Sequence, residues 1–137
     1  MKLRKQKLTE DTIKPYIEWF KQAEYDLETA EALFSSGKFI YTIFMCHLSI
    51  EKALKGLYSK NFQKSPPKTH NLNYLYELIQ LNLEEDLQEL LDILNDLSVP
   101  TRYPDELERL LKDYDRNNTQ NILERTKVLL SCLKKKL

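Results

Sequence analysis

Glycine, histidine and cysteine are scarce in this sequence, and each occurs only twice in 137 residues. The scarcity of glycine disfavours Gly-rich phosphate-binding loops and tight hairpin turns. The histidines and cysteines do not form any metal-ligand spacing, so we expect no bound metal and no cofactor. Cys46 and Cys132 both lie among apolar residues, which predicts two buried, reduced thiols rather than a disulfide.

A net charge and a long apolar run are also absent. The 21 basic and 21 acidic residues cancel, which argues against the broad basic surface of a general nucleic-acid-binding protein but is compatible with a local basic pocket. No run approaches the roughly 18 apolar residues of a membrane span, and the N-terminus lacks the apolar core of a signal peptide. We therefore expect a soluble, cytoplasmic protein with no membrane partner.

Helix-forming residues dominate the composition. Apolar residues recur at helical spacing, and the pattern is broken at Gly37, at Pro66 and Pro67, and at Pro100 and Pro104. The predicted helices cover about residues 15–36, 39–62, 72–79, 84–97, 106–114 and 119–136.

These segments predict an all-α fold, an up-and-down bundle of four to five main helices. We expect a single domain over residues 15–137 after a flexible segment over residues 1–14. The short turn between the first two helices predicts that they are antiparallel neighbours. Asn71 is the expected N-cap of the third helix. Asp105 is the expected N-cap of the short helix over about residues 106–114.

The second predicted helix is apolar almost all round. Ile43 and Ile50 lie on one broad face, whereas Tyr41, Met45 and Leu48 lie on nearly the opposite side. Both sides of such a helix need to be covered. A central position in the bundle would cover them, and so would a homodimer interface.

Charged residues interrupt this apolar helix. His47, Glu51 and Lys55 fall on one stripe at positions i, i+4 and i+8, and a Glu before a Lys is the favourable order for a helical ion pair. Because a charge in a partly dry site needs a partner, these three groups and Lys52 are expected to be partnered rather than solvated.

Two interpretations account for the charges. In the first, they pair with Asp26 or another polar residue of the first helix. In the second, Lys52 and Lys55 line a pocket with Arg102 for a nucleotide or an RNA phosphate, since lysine is a competent phosphate ligand. In either case we predict that the charges face Asp26, His70 or Arg102.

Four segments carry a wider pattern: AEYDLETAEALFSSGKF at 23–39, CHLSIEKALKGLY at 46–58, THNLNYL at 69–75 and TRYPDE at 101–106. In this order and spacing they resemble a HEPN domain, a family named for nucleotide binding in higher eukaryotes and prokaryotes. The resemblance covers about residues 16–136.

The resemblance implies a helical bundle that commonly dimerises. Many small prokaryotic HEPN proteins are encoded beside a minimal nucleotidyltransferase and form a toxin–antitoxin or accessory pair with it. Several HEPN families are metal-independent endoribonucleases, whose motif is an Arg followed four to six residues later by a His. In one subgroup a Tyr close after that His is adenylylated by the partner transferase.

This sequence lacks the ribonuclease motif, because His47 and His70 both precede Arg102 and no arginine has a histidine at the required distance after it. Metal-free RNA cleavage needs a base, an acid and a cation. Arg102 could supply the cation, with Tyr103, His70 or His47 as acid and base. The catalytic residues are therefore unknown.

Each of these residues also has a structural role open to it. His70 would cap the third helix or tie down its loop, or else contact a ligand. His47 is expected to be a core histidine bonded to a polar neighbour. Arg102 would satisfy carbonyls at the end of the fourth helix or bind phosphate, and Tyr103 would pack, contact a ligand or be a modification site.

Three functions follow as hypotheses. The first is a nucleotide-binding or regulatory partner of a separately encoded minimal nucleotidyltransferase, with the chain a homodimer. The second is an atypical metal-independent endoribonuclease toxin built around Arg102. The third is a non-catalytic helical dimerisation module.

Overall fold

The computed structural model describes residues 13–98 and 104–137, and it places six α-helices there. They are α1 (Tyr16–Ser35), α2 (Phe39–Phe62), α3 (Leu72–Ile79), α4 (Glu85–Ser98), α5 (Pro104–Asp113) and α6 (Arg116–Lys134). No strand occurs among the described residues. The all-α prediction is therefore confirmed, with α1, α2, α4 and α6 as the long helices. The predicted boundary between a flexible segment and the domain stays a prediction.

A glycine turn joins α1 to α2. Gly37 has a φ of +77°, the N–H of Lys38 donates to the carbonyl of Leu33 at 2.8 Å, and the N–H of Gly37 donates to that of Phe34 at 3.0 Å. These two bonds form a Schellman motif. Glycine is favoured there because residues with a Cβ atom rarely adopt a positive φ. Gly37 therefore ends the first helix, as predicted.

α1 and α2 run antiparallel, as the short turn predicted. The hydroxyl of Ser49 donates to the carbonyl of Ala23 at 2.7 Å, and that of Ser59 donates to the carbonyl of Lys14 at 3.3 Å. Later residues of α2 thus contact earlier residues of α1 and the segment just before it. α2 also packs against α3, α4, α5 and α6, and this central position explains why its surface is apolar almost all round.

One side of α2 is covered only in part. Tyr41 is 53% exposed, and Phe44, Met45 and Leu48 are partly exposed. Ile43 and Ile50 on the other side are buried in the core. The described residues of the bundle therefore cover one face of α2 fully and leave the Tyr41 face incompletely covered.

The N-cap of α3 is the predicted one. The side-chain oxygen of Asn71 accepts from the N–H of Tyr74 at 3.1 Å and from the amide of Asn95 at 3.0 Å. The second bond ties the start of α3 to α4. Asn71 thus caps one helix and docks it on another.

Two predicted helix starts were wrong. α6 begins three residues before Thr119, because Asp115 accepts from the N–H of Asn118 at 2.9 Å and caps the helix there, which outweighs the low helix propensity of asparagine. α5 begins at Pro104, a residue suited to the first helical position. Asp105 therefore lies inside the first turn of α5 instead of capping it.

Candidate functional site

Glu51 is the centre of a buried ionic network on α2. Its Oε2 atom accepts from Lys55 Nζ at 3.0 Å, and its Oε1 atom accepts from His70 Nδ1 at 3.0 Å. Glu51 and Lys55 are both buried, and Lys55 is 8% exposed. The predicted helical ion pair between them is therefore confirmed, and each carboxylate oxygen has a strong donor.

His47 and His70 reach this network from different elements. His47 on α2 is 2% exposed, and its Nε2 atom lies 3.0 Å from the carbonyl oxygen of His70. Because a carbonyl only accepts, the Nε2–H of His47 donates this bond. His47 is thus a core histidine bonded to a polar neighbour, as expected.

His70 stays largely in solvent although its main chain and its ring are both held. Its side chain is 65% exposed. Since the carboxylate of Glu51 accepts at Nδ1, the neutral ring carries its hydrogen on Nδ1 and has a lone pair on Nε2. The loop before α3 is therefore fastened to α2 at residue 70, which is the loop-fixing role expected of His70.

A second ion pair connects α2 with α1. Lys52 Nζ lies 2.8 Å from Oδ2 of Asp26, a buried residue, although this contact lacks the alignment of a hydrogen bond. The prediction that the charges face Asp26, His70 or Arg102 is confirmed for Lys52 through Asp26 and for the Glu51–Lys55 pair through His70. Each lysine already has a carboxylate partner, so a phosphate would compete with that carboxylate.

Trp19 borders the network from α1. Lys55 Nζ lies 6.0 Å from the centre of its ring, and Lys14 Nζ lies 4.0 Å from it on the N-terminal side. The sequence pattern did not single out Trp19 as a neighbour of the network. The contact could have been predicted from the antiparallel arrangement of the two helices, because this arrangement brings the start of α1 to the C-terminal half of α2. As the one tryptophan of the chain, Trp19 reports on the network by fluorescence.

Arg102 and Tyr103 lie outside the described residues. Their predicted roles, in phosphate binding, packing or modification, stay predictions. Among the described residues, the structure brings together Asp26 with Lys52, and Glu51 with His47, Lys55 and His70.

The cysteines are free thiols. Cys46 is buried, as predicted, whereas Cys132 is partly exposed, which corrects the expectation that both are buried. Burial raises the pKa of Cys46 from 9.0 to about 12, against a smaller lowering by a hydrogen bond with Thr126.

We expect iodoacetamide at pH 8 to modify Cys132 in the folded protein, and Cys46 only after denaturation, because the thiolate is the reactive form. Mass spectrometry of native and denatured protein checks this, with Cys132→Ser as the control that isolates Cys46. Rapid labelling of Cys46 in the native control would contradict the prediction.

Because its folded pKa is raised, the Cys46 thiol adds stability below about pH 9 that is lost as the pH rises toward 12.

The described part of the chain shows neither a metal site nor a membrane span. No group of three or more His, Cys, Asp and Glu side chains there could hold a metal ion. None of the described helices is both long and apolar enough to cross a membrane.

The chain matches the model of the HEPN domain over residues 16–137. Its structure is similar to that of TT1696 from Thermus thermophilus, with a TM-score of 0.74, 26% identity, and coverage of 89% of this chain and 98% of that one. It is also similar to ST0689, an archaeal HEPN homologue, with a TM-score of 0.70, 26% identity, and coverage of 90% and 98%. No curated protein matches the sequence.

The fold and the network of Glu51, His47, Lys55 and His70 therefore define an α-helical bundle protein with an ionic centre on its central helix. The chain belongs to the HEPN domain family.

Proposed function

We propose that this HEPN protein is a nucleotide-binding and regulatory partner of a separately encoded minimal nucleotidyltransferase. It is a cytoplasmic homodimer, and the pair resembles a toxin–antitoxin system. The dimer is supported by the Tyr41 face of α2, where Tyr41 is exposed and Phe44, Met45 and Leu48 are partly exposed. A second polypeptide on this face would complete the burial of an otherwise apolar helix.

The state of the charged groups favours binding over catalysis. Lys52 and Lys55 are neutralised by Asp26 and Glu51, so neither is a free cation for a phosphorane. Within the network the exposed group is His70, which is fixed in position and can contact a ligand held mainly by Arg102. The saturation of both lysines argues against a catalytic cation in the network. The exposed and positioned ring of His70 is the observation that carries the binding proposal.

The test is a titration of the purified protein with ATP, followed by Trp19 fluorescence and by calorimetry, and a parallel incubation with total RNA. We expect ATP to bind without loss of RNA, and Arg102→Ala to weaken ATP binding at least about tenfold, since hydrogen bonds to a charged group contribute about 1.5–3 kcal/mol. Arg109→Ala is the matched control, because Arg109 lies near Asp113 on an exposed surface of α5. Light scattering on the same samples measures the oligomeric state.

The other outcomes favour the other hypotheses. RNA loss that depends on Arg102 would contradict the binding role and establish an endoribonuclease without the usual histidine motif. No ATP binding and no RNA loss, with a dimer in light scattering, would leave the dimerisation module. Addition of a transferase encoded beside the protein then tests whether a complex forms.

A further inference from the structure

The network around Glu51 holds one exposed nucleophile, the imidazole of His70. Two contacts from α2 position it, one to its backbone and one to its ring. The Nε2–H of His47 donates to its carbonyl at 3.0 Å, and its own Nδ1–H donates to Glu51 at 3.0 Å. The buried carboxylate thus holds the ring while 65% of the side chain stays in solvent, so the exposed ring nitrogen has a defined position.

The contact with Glu51 determines what the exposed nitrogen can do. With its hydrogen on Nδ1, the ring has its lone pair on Nε2, and the carboxylate compensates the positive charge that develops on the ring when Nε2 attacks an electrophile. An adjacent base that activates the nucleophile is a usual feature of covalent catalysis. Lys55 on the other oxygen holds the carboxylate in position.

The charge of the surrounding loop selects the electrophile. Residues 63–71 contain two lysines, Lys64 and Lys68, and no carboxylate. Both lysines are exposed. Such a loop attracts an anionic donor and stabilises an added dianion, whereas its charge does not attract a neutral acyl donor.

We propose that His70 accepts a phosphoryl group on Nε2 from a small phosphoramidate-class or phosphoanhydride donor. The Nε2 lone pair forms a bond to phosphorus, the bond from phosphorus to the donor's leaving atom breaks, and the leaving group departs with that electron pair. The Nδ1 proton stays in the hydrogen bond with Glu51 or passes to its carboxylate. This modification site goes beyond the nucleotide-binding role and does not depend on a transferase.

The test uses the purified full-length chain and potassium phosphoramidate near neutral pH. We expect one phosphoryl group per chain, seen by intact mass and by the 31P signal of an Nε2-substituted imidazole, and mapped to His70 by tandem mass spectrometry at a pH that preserves the P–N bond. The chain supplies its own control, because His47 is its one other histidine and is 2% exposed. The phosphorylation rate of the same chain in urea is the reference, because no contact positions the imidazole in the unfolded protein.

In the folded protein His70 is expected to react at least about tenfold faster than in urea, as expected of a group whose proton partner is in place. His70→Gln removes the modification. Glu51→Gln lowers the rate toward the urea value, and circular dichroism shows whether this variant is folded. If it is not, the comparison of native and unfolded wild type decides the proposal by itself.

Labelling of His70 no faster in the native protein than in urea would overturn the proposal, and so would equal labelling of His47. Because the assay contains no nucleotide, its failure leaves the ATP titration unaffected. Conversely, a protein that does not bind ATP can still give the expected phosphoryl transfer.

Discussion

Glu51→Ala is expected to lower the free energy of unfolding by about 3–5 kcal/mol, because it leaves a buried ammonium without its partner. Lys55 is 8% exposed, and Glu51 is its hydrogen-bonded carboxylate at 3.0 Å. The ring of Trp19 at 6.0 Å compensates only weakly, since a cation–π contact at that distance contributes about 1 kcal/mol or less. Urea denaturation followed by circular dichroism measures the change.

Glu89→Ala is the matched control for this variant. Glu89 pairs with Arg125 at 3.0 Å, but its side chain is 67% exposed, so its loss is expected to lower stability by less than about 1 kcal/mol. Equal effects of Glu51→Ala and Glu89→Ala would contradict the importance of burial. The double variant Glu51→Gln with Lys55→Met removes both charges together, and it should recover most of the loss if the unpaired ammonium is its cause.

Gly56→Ala is expected to lower the free energy of unfolding by about 1–3 kcal/mol, through overpacking between α1 and α2. A Cβ atom on Gly56 would lie 2.9 Å from both Trp19 Cβ and Phe20 Cδ2. Helix propensity alone predicts the opposite sign, a gain of about 1 kcal/mol for alanine over glycine. The sign of the measured change therefore shows which effect is larger.

Phe20→Leu in the Gly56→Ala background separates the two clashes. The shorter side chain relieves the contact with the ring, whereas the Cβ of Trp19 is fixed close to its backbone and cannot move away. Relative to the sum of the single variants, we expect a partial recovery of stability, and a shift of Trp19 fluorescence in Gly56→Ala. A Gly56→Ala protein more stable than wild type would show that the helices separate at little cost.

Local features of the chain were predictable because they depend on neighbours along the sequence. The bounds of α2 agree with the prediction, since Gly37 before it and the proline pair after it end any helix. The Glu51–Lys55 pair follows from helical spacing alone. The start of α6 was predicted too late because Asp115, not a residue nearer Thr119, caps the helix. The start of α5 was predicted too late because Pro104 is suited to the first helical position.

Contacts between distant segments followed only partly from the pattern. The sequence pattern grouped His70 with the charges of α2. It did not predict that the Nδ1 atom of His70 donates to Glu51 while its carbonyl accepts from His47, because both contacts depend on how the loop before α3 lies across α2. The two contacts span 19 and 23 residues of sequence. The place of Arg102 in this group stays a prediction.

The sequence by itself determined the helices, the antiparallel first pair and the need of the α2 charges for partners, because periodicity, chain breaks and the cost of an unpaired charge are local properties. Only the tertiary structure decided which partners they take. It also decided that Gly56 is a point of close helix approach and that His70 keeps an exposed imidazole. Those outcomes depend on contacts of about 3 Å between segments that are distant in the sequence. The sequence pattern does not determine the relative positions of such segments to that accuracy.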